Sequence, residues 1–441
     1  MASSSAETTG DAAREAMSAE PVAVPAAPPP RLGTTTRTAL PLAATLLILG
    51  LAYWCVDTVS PALPAVRASL GLTATSAGLV MSAFFGGRLL ANLPAALLVD
   101  RSGPRPTAAI GAAVLAAGSS LAAMAGSEAM LLPARALQGA GVALLATAGL
   151  LSVLRALPDG GAAMTTFNVT VGIGGSLGLS ASGVLTSRFG WQAVFWFSAF
   201  LGAVMLGTAL VARPGRARHR PATAPTDDAA PAVEATATDE PSATDEPAPA
   251  VSGSTPALLG AMAANLLVYG NYAIWIVALP LYAATRFGAG PGDIGLVLLI
   301  VNAIHLLGAF PVGGVIRRRG AAVSLAIGLA IAALGMATMT VAADPRWLVL
   351  PLALYALGQV AGNSSAGDLL LRLGGGGGRA VGLVRLTSDL GLVVGPAAAG
   401  ALTDGFGVAS PFVVLALCSA AGAVVAFVAV TRQGGSVPAS G

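Results

Sequence analysis

The chain is a succession of apolar runs, each about as long as a membrane-crossing helix and separated by short polar loops. The hydrocarbon core of a bilayer is about 30 Å thick, so one helix needs about 20 apolar residues to span it. Runs of that kind lie at 39–61, 73–98, 106–126, 129–154, 161–185, 191–212, 257–283, 292–315, 321–342, 346–371, 380–402 and 409–431. Of 441 residues, 55% are hydrophobic and only 10% charged, with a mean hydropathy of +0.79. A soluble domain carries about 25% charged residues, so this chain lacks the polar surface to cover a water-soluble fold. The expected fold class is an all-α membrane protein with twelve transmembrane helices.

The same composition excludes several chemistries. There is no lysine; all 23 basic residues are arginine. A phosphate-binding loop of the form G-x-x-x-x-G-K-[ST] therefore cannot occur, nor can a Schiff-base lysine. Cys55 and Cys418 sit in separate apolar runs, which rules out a disulfide framework or a CxxC metal site. The two histidines, His219 and His305, are far apart in sequence, so no metal site and no cofactor are expected. The pI near 9.2 reflects arginines scattered between apolar runs, where they act as topology signals and not as a nucleic-acid patch.

Residues 1–38 are rich in Ala, Pro, Ser and Thr and are expected to form a disordered cytoplasmic tail, without the short apolar region and cleavage site of a signal peptide. Residues 39–212 hold six runs, 213–256 form a polar flexible linker with TDEP repeated at 238–241 and 244–247, and 257–431 hold six more, followed by a cytoplasmic tail at 432–441. With both termini cytoplasmic, thirteen arginines fall in inner loops and the C-terminal flank, against four in outer loops. That asymmetry fits the positive-inside rule and an inner (plasma) membrane location.

The two halves repeat each other at a shift of 217 residues. Gly71, Gly78, Leu79 and Val80 match Gly288, Gly295, Leu296 and Val297; Pro94, Arg101, Gly103 and Gly111 match Pro311, Arg318, Gly320 and Gly328. From Gly174 to Gly190 against Gly391 to Gly407 there are 8 identities in 17 positions. Chance at such a composition gives about 2. A constant register means one six-helix unit used twice in the same orientation. Two six-helix bundles related by a parallel pseudo-two-fold axis are a known transporter plan, with the substrate site between them near the midplane.

These residues resemble the major facilitator superfamily, and within it the twelve-helix drug:proton antiporter group. The loop Asp100-Arg101-Ser102-Gly103-Pro104-Arg105 is similar to the superfamily's G-x-x-x-D-R-x-G-R-R signature, with Ala96 for its first glycine and Pro104 for one arginine. Asp57-x-x-x-Pro61-x-x-Pro64 resembles a D-x-x-x-P-x-x-P pattern of the antiporter group, and Arg135-Ala136-Leu137-Gln138-Gly139-Ala140-Gly141 resembles R-x-x-Q-G-x-G. Gly174, Gly178 and Gly183 follow the antiporter motif G-x-x-x-G-P-x-x-G-G with Leu179 in place of its proline; Gly391, Gly395, Pro396 and Gly400 are the fuller copy. The resemblance implies transport by alternating access.

Each motif carries a physical expectation. Asp100 at a helix end can pair with Arg101 or Arg105, or face the positive N-terminus of a neighbouring helix, and so latch one arrangement of the bundles. Gly103 permits the tight turn. Glycines four apart on one helix face admit another backbone, which is a helix-packing role for Gly174, Gly178, Gly183, Gly391, Gly395 and Gly400; Pro396 bends its helix. Charges inside the membrane cost roughly 2.5–3.5 kcal/mol each and mark function. Asp57 and Arg135 are expected to lie at compatible depths, to pair, and to couple transport to protons, a static ion pair being the alternative. The resemblance implies that the second and eleventh helices meet between the halves; Arg88 and Asp389, at similar depths on them, are then expected to form a gate, with Arg385, four residues from Asp389, as the competing local partner. Asp368 reads as interfacial. Tyr53, Trp54, Tyr269, Tyr272 and Trp275, with Asn302 and His305, are expected to line a substrate cavity or, for some of the aromatics, an interfacial belt.

The function that follows is a proton-coupled efflux permease for lipophilic small molecules, not an enzyme, acting as a monomer on a small-molecule substrate and protons within a lipid bilayer. The alternatives are an uptake symporter or facilitator for a small metabolite, and a transport-inactive scaffold or sensor.

Overall fold

The computed structural model of the chain describes residues 40–157, 159–212, 255–342, 344, 348–375 and 377–434. The expected tail at 1–38, residues 435–441 of the expected tail at 432–441, and almost all of the expected linker at 213–256 lie outside them. The described residues are helical throughout, without strands. In the first half the helices are α1 (Leu42–Trp54), α2 (Val59–Leu70), α3 (Ala74–Ser102), α4 (Pro104–Ala123), α5 (Glu128–Ala156), α6 (Gly160–Phe189) and α7 (Gln192–Val211). In the second they are α8 (Thr255–Asn271), a π-helical turn (Ile274–Ala278), α9 (Leu279–Phe287), α10 (Pro291–Arg319), α11 (Ala321–Met339), α12 (Val349–Leu373), α13 (Gly377–Phe406) and α14 (Ser410–Gly434).

The repeat is visible in the packing. In the first half α4 lies against α5 and α7, α3 against α5, and α1 against α6; in the second, α11 lies against α12 and α14, α10 against α12, and α8 against α13. Six of the seven positive-φ glycines among the described residues form three pairs 217 residues apart: Gly71 and Gly288 (64° and 65°), Gly103 and Gly320 (85° and 81°), Gly190 and Gly407 (82° and 91°). A β-carbon would be strained at each, so the same corners are turned by the same backbone in both halves. The α4–α5 contact repeats residue for residue. A β-carbon at Gly141 would meet the Gly111 carbonyl at 2.8 Å, and one at Gly358 the Gly328 carbonyl at 2.6 Å. The fold is two bundles of like orientation.

Eleven helical segments among the described residues are long and apolar enough to cross a membrane. The expected tenth span, α12, has 25 residues, a length of about 37 Å at 1.5 Å per residue, but Gln359, Asn363, Ser364 and Ser365 dilute its apolar character. Outward faces are oily: Leu90 is 80% exposed, Leu93 68% and Val211 81%. Such surface is stable only against lipid.

One boundary is corrected. The first span does not end at residue 61 but continues as Leu42–Leu70, interrupted at 55–58. Pro61, the last residue of the expected span, occupies the first turn of α2, where an N–H has no intrahelical partner to lose. Asp57 thus lies about 20 Å along the chain from the Leu70 end, near mid-span.

Candidate transport pathway

The first span breaks where its hydrogen bonding fails. Pro61 offers no N–H to the Asp57 carbonyl four residues back, and that carbonyl accepts instead from the Ser60 N–H at 2.9 Å. The repeat counterpart, α8 to α9, is interrupted at the equivalent level by the π-helical turn before Pro280. The two interruptions face each other across the halves. The Tyr272 hydroxyl donates to Asp57 Oδ2 at 2.5 Å, and the Ser60 hydroxyl donates to the Trp275 carbonyl at 3.4 Å. Asp57 is 7% exposed, and its Oδ1 has no hydrogen-bond partner.

Around this contact three rings gather on Trp275: Tyr272 at 5.0 Å, His305 at 5.5 Å and Tyr355 at 6.3 Å between centroids. Trp275 Nε1 and His305 Nδ1 are buried without hydrogen-bond partners. The expected aromatic set therefore divides. Tyr272, Trp275 and His305 come together; Tyr53 stacks edge-on to Phe167 and Trp54 leans on Phe197, both within the first half. Tyr269 is partly buried against the core. Asn302 does not join His305 in one contact: its amide donates to the Ser176 hydroxyl across the halves.

Arg135 is fully buried and lies within electrostatic reach of Asp57, but no hydrogen bond joins the expected pair. Its Nη1 donates to Gln138 Oε1 at 2.7 Å and its Nε to the Val80 carbonyl at 3.4 Å, and the guanidinium lies 4.5 Å from the Phe84 ring centre. Gln138 is one helical turn away and passes the network on to the Ser119 hydroxyl at 2.7 Å. Near partners on α3 and α5 satisfy the cation, while the broken segment presents Asp57 to Tyr272 instead.

Deeper in the molecule, the two expected partners of Asp389 are both present. Arg88 Nη2 stands 3.9 Å from one carboxylate oxygen and Arg385 Nε 3.7 Å from the other. Asn92, which the sequence reading missed, makes the shorter contact: its amide donates to Asp389 Oδ2 at 2.8 Å and accepts from Arg385 at 3.2 Å. The signal available was its spacing, one turn from Arg88 on the same face. Asp368 pairs with exposed Arg372 at 2.9 Å, away from this cluster.

At the Asp100 loop, Gly103 takes φ +85° as expected. Its neighbours separate: Arg105 donates to the carbonyls of Ala209 at 2.8 Å and of Leu210, closing the C-terminus of α7, whereas Asp100 lies within electrostatic reach of Arg155 on α5. The unpaired carbonyls at a helix end draw a cation, which takes Arg105 away from Asp100. Arg101 is exposed.

The motif glycines lie where backbones touch. Added β-carbons at Gly174 and Gly178 would overlap the carbonyls of Gly50 and Trp54 on α1; those at Gly391 and Gly395 would come within 2.6 Å of the carbonyls of Leu266 and Gly270 on α8. Gly183 and Gly400 instead face the opposite half, at Pro291 and Ala74. Pro396 lies against Gly78, and beside it the Ser82 hydroxyl donates to the Val393 carbonyl at 2.6 Å and accepts from the Ala397 N–H at 3.1 Å. Those two groups are the ends of a single rung of α13, so one side chain from α3 bonds to both ends of it.

Comparison with known proteins identifies the architecture. The family description "Major Facilitator Superfamily" matches residues 45–373 and 261–440. The chain belongs to the Major Facilitator Superfamily. Members of this superfamily are transporters, not enzymes, and this one is a multi-pass membrane protein. It is 31% identical over 155 residues to the inner membrane transport protein YajR of Escherichia coli (strain K12), covering 35% of this chain and 33% of the relative. It is 29% identical over 170 residues to the multidrug resistance protein Stp of Mycobacterium tuberculosis, covering 38% and 32%. It is 34% identical over 179 residues to the cephamycin export protein CmcT of Amycolatopsis lactamdurans, covering 39% and 36%. The matched stretches span about a third of each relative's length. A bacterial homologue of the human lysosomal transporter Spinster, solved in an inward-facing and unoccupied conformation, superposes with a TM-score of 0.62 over 88% of this chain and 94% of that one at 16% identity. That likeness establishes the shared superfamily fold.

Proposed function

We propose that this chain is a twelve-span, proton-coupled exporter of lipophilic small molecules that works by alternating access in the plasma membrane, with both termini cytoplasmic. The observation that carries the coupling is Asp57. It is a carboxylate buried at a helix break, held by Tyr272 of the opposite half through one oxygen and unpartnered at the other. A carboxylate isolated in a low-dielectric site favours its protonated form, and solvent access to either side reverses that preference. Parting the halves separates Asp57 from Tyr272, so movement and proton affinity are linked at one bond.

Export of apolar solutes is supported by the ring cluster at Trp275 and by the names of two relatives, a multidrug resistance protein and a cephamycin exporter. Arg88, Asn92, Arg385 and Asp389 form the gate between α3 and α13, Asp100 and Arg155 a latch near the cytoplasmic ends, and Arg135 a fixed positive charge behind Asp57. A single chain supplies all of these parts.

The test is transport by the purified chain in proteoliposomes with an imposed pH gradient and a panel of lipophilic cations and neutral antibiotics. Asp57→Asn is expected to abolish gradient-driven accumulation while leaving equilibrium binding within about threefold, since a neutral isostere keeps the bond to Tyr272. Gradient-driven transport that persists undiminished in Asp57→Asn sinks the coupling assignment. Accumulation in the opposite direction supports the uptake reading.

A further inference from the structure

The structure assigns to Asp404, at the far end of α13, the role of a positioning residue that holds the two halves closed at the end marked by Gly71 and Gly288. The first turn of any α-helix leaves four N–H groups without intrahelical partners. In α3 three of these find a side-chain acceptor, two of them on the other bundle. The Thr73 hydroxyl accepts from the Ser76 N–H at 3.0 Å, while the Thr73 carbonyl takes the first intrahelical bond, from Ala77 at 3.1 Å. Asp404 satisfies the other two, Oδ1 accepting from the Ala74 N–H at 2.9 Å and Oδ2 from the Thr75 N–H at 2.7 Å. Oδ2 also accepts from the Thr75 hydroxyl at 2.7 Å. An anionic carboxylate thus caps the positive end of a helix 330 residues away in the chain, across the plane on which the halves part.

The repeat supplies an internal control. The counterparts of Ala74 and Asp404, at the same 217-residue shift, are Pro291 and Ser187. Proline has no N–H to satisfy, and the Ser187 hydroxyl turns back to the Val184 carbonyl of its own helix at 3.0 Å. The backbone approach is common to both seams, as Gly183 against Pro291 and Gly400 against Ala74, but the charged cap exists in one. Packing of the halves at this end therefore does not require the carboxylate; its specific consequence is that opening strips an anion from a helix terminus.

This inference rests on the rocking of the two halves proposed above and is independent of proton coupling at Asp57. It is tested by spin-label distances between Ser69→Cys on α2 and Thr285→Cys on α9, both exposed and outside the seam, in a Cys55→Ala/Cys418→Ala background reconstituted in nanodiscs. Amide exchange at Ala74 and Thr75 is followed in parallel. Asp404→Asn is expected to raise the population at the longer distance relative to that at the shorter about tenfold, and Asp404→Glu to keep the parent distribution. Faster exchange at Ala74 and Thr75 with unchanged distances in Asp404→Asn would reduce Asp404 to a local helix cap and overturn the assignment. A parent chain that switches distance across the carboxylate titration range while Asp404→Asn matches it throughout sinks the latch alone. A parent chain that never switches sinks the rocking of the halves and the latch with it.

Discussion

The two seams between the halves share one backbone and differ in chemistry. Along α6 and α10, small residues and carbonyls meet: Gly183 at Pro291 and Gly295 at the Leu179 carbonyl, with a polar contact from Asn302 to Ser176. Along α3 and α13, the equivalent approaches of Gly400 to Ala74 and Gly78 to Pro396 are overlaid with the Asp404 cap, the Ser82 bonds and the Asp389 cluster. Duplication explains the common geometry, because packing at this distance tolerates little but glycine. The polar contacts differ because each depends on one side chain, which can change without moving the helix. One seam is then suited to sliding contact, and the other to discrete bonds that are either made or broken.

The comparison can be broken most severely at Asp389. Replacing it with Asn leaves two guanidiniums facing each other across the α3–α13 seam, a change expected to cost about 3–5 kcal/mol and read as a large fall in thermal midpoint in detergent. Removing the Asp368 partner Arg372, which is exposed, is expected to leave that midpoint within experimental scatter. If Asp389→Asn is as stable as the parent, the cluster has no energetic role.

Steric tests should treat the seams alike. Gly400→Leu and Gly183→Leu each push a side chain into the opposing backbone, with an expected loss of about 1–3 kcal/mol or more and strongly reduced transport in both. A tolerant Gly183→Leu would mean that the α6–α10 approach is slack. The smallest effect separates the seams again. Ser82→Ala removes a hydroxyl bonded at both ends and should cost about 1–2 kcal/mol, against about 0.5–1 for Ser176→Ala on the other side. Chemical denaturation in detergent micelles would rank the two; equal losses would erase the distinction.

What could be read from the sequence was what repeats or what the backbone dictates. The 217-residue register foretold paired corners at Gly103 and Gly320, and glycines four apart foretold close helix contact at Gly174 and Gly391. Arg88 and Asp389 were placed together because the resemblance brings their helices into contact and their depths along them match. Depth also put Asp57 and Arg135 within electrostatic reach of each other. Ending the first span at residue 61 put Asp57 near its outer end, however, and depth alone says nothing of the direction in which a residue on a broken helix points. Asn92, Ser82 and Asp404 escaped for a related reason, as did the bond from Tyr272, itself an expected cavity residue, to Asp57. Each is an ordinary polar residue on its own helix and acquires significance from a group more than 200 residues distant. No local spacing encodes that meeting.

The hydroxyl of Ser82 makes the hydrogen bonding of α13 a shared property. The carbonyl at Val393 and the amide at Ala397 both bond to a visitor from α3, and in lipid a backbone group that loses every partner costs several kcal/mol. When the visitor withdraws, the two groups are left to each other or to water. A probe of the Ala397 amide therefore also reports how far apart the bundles stand.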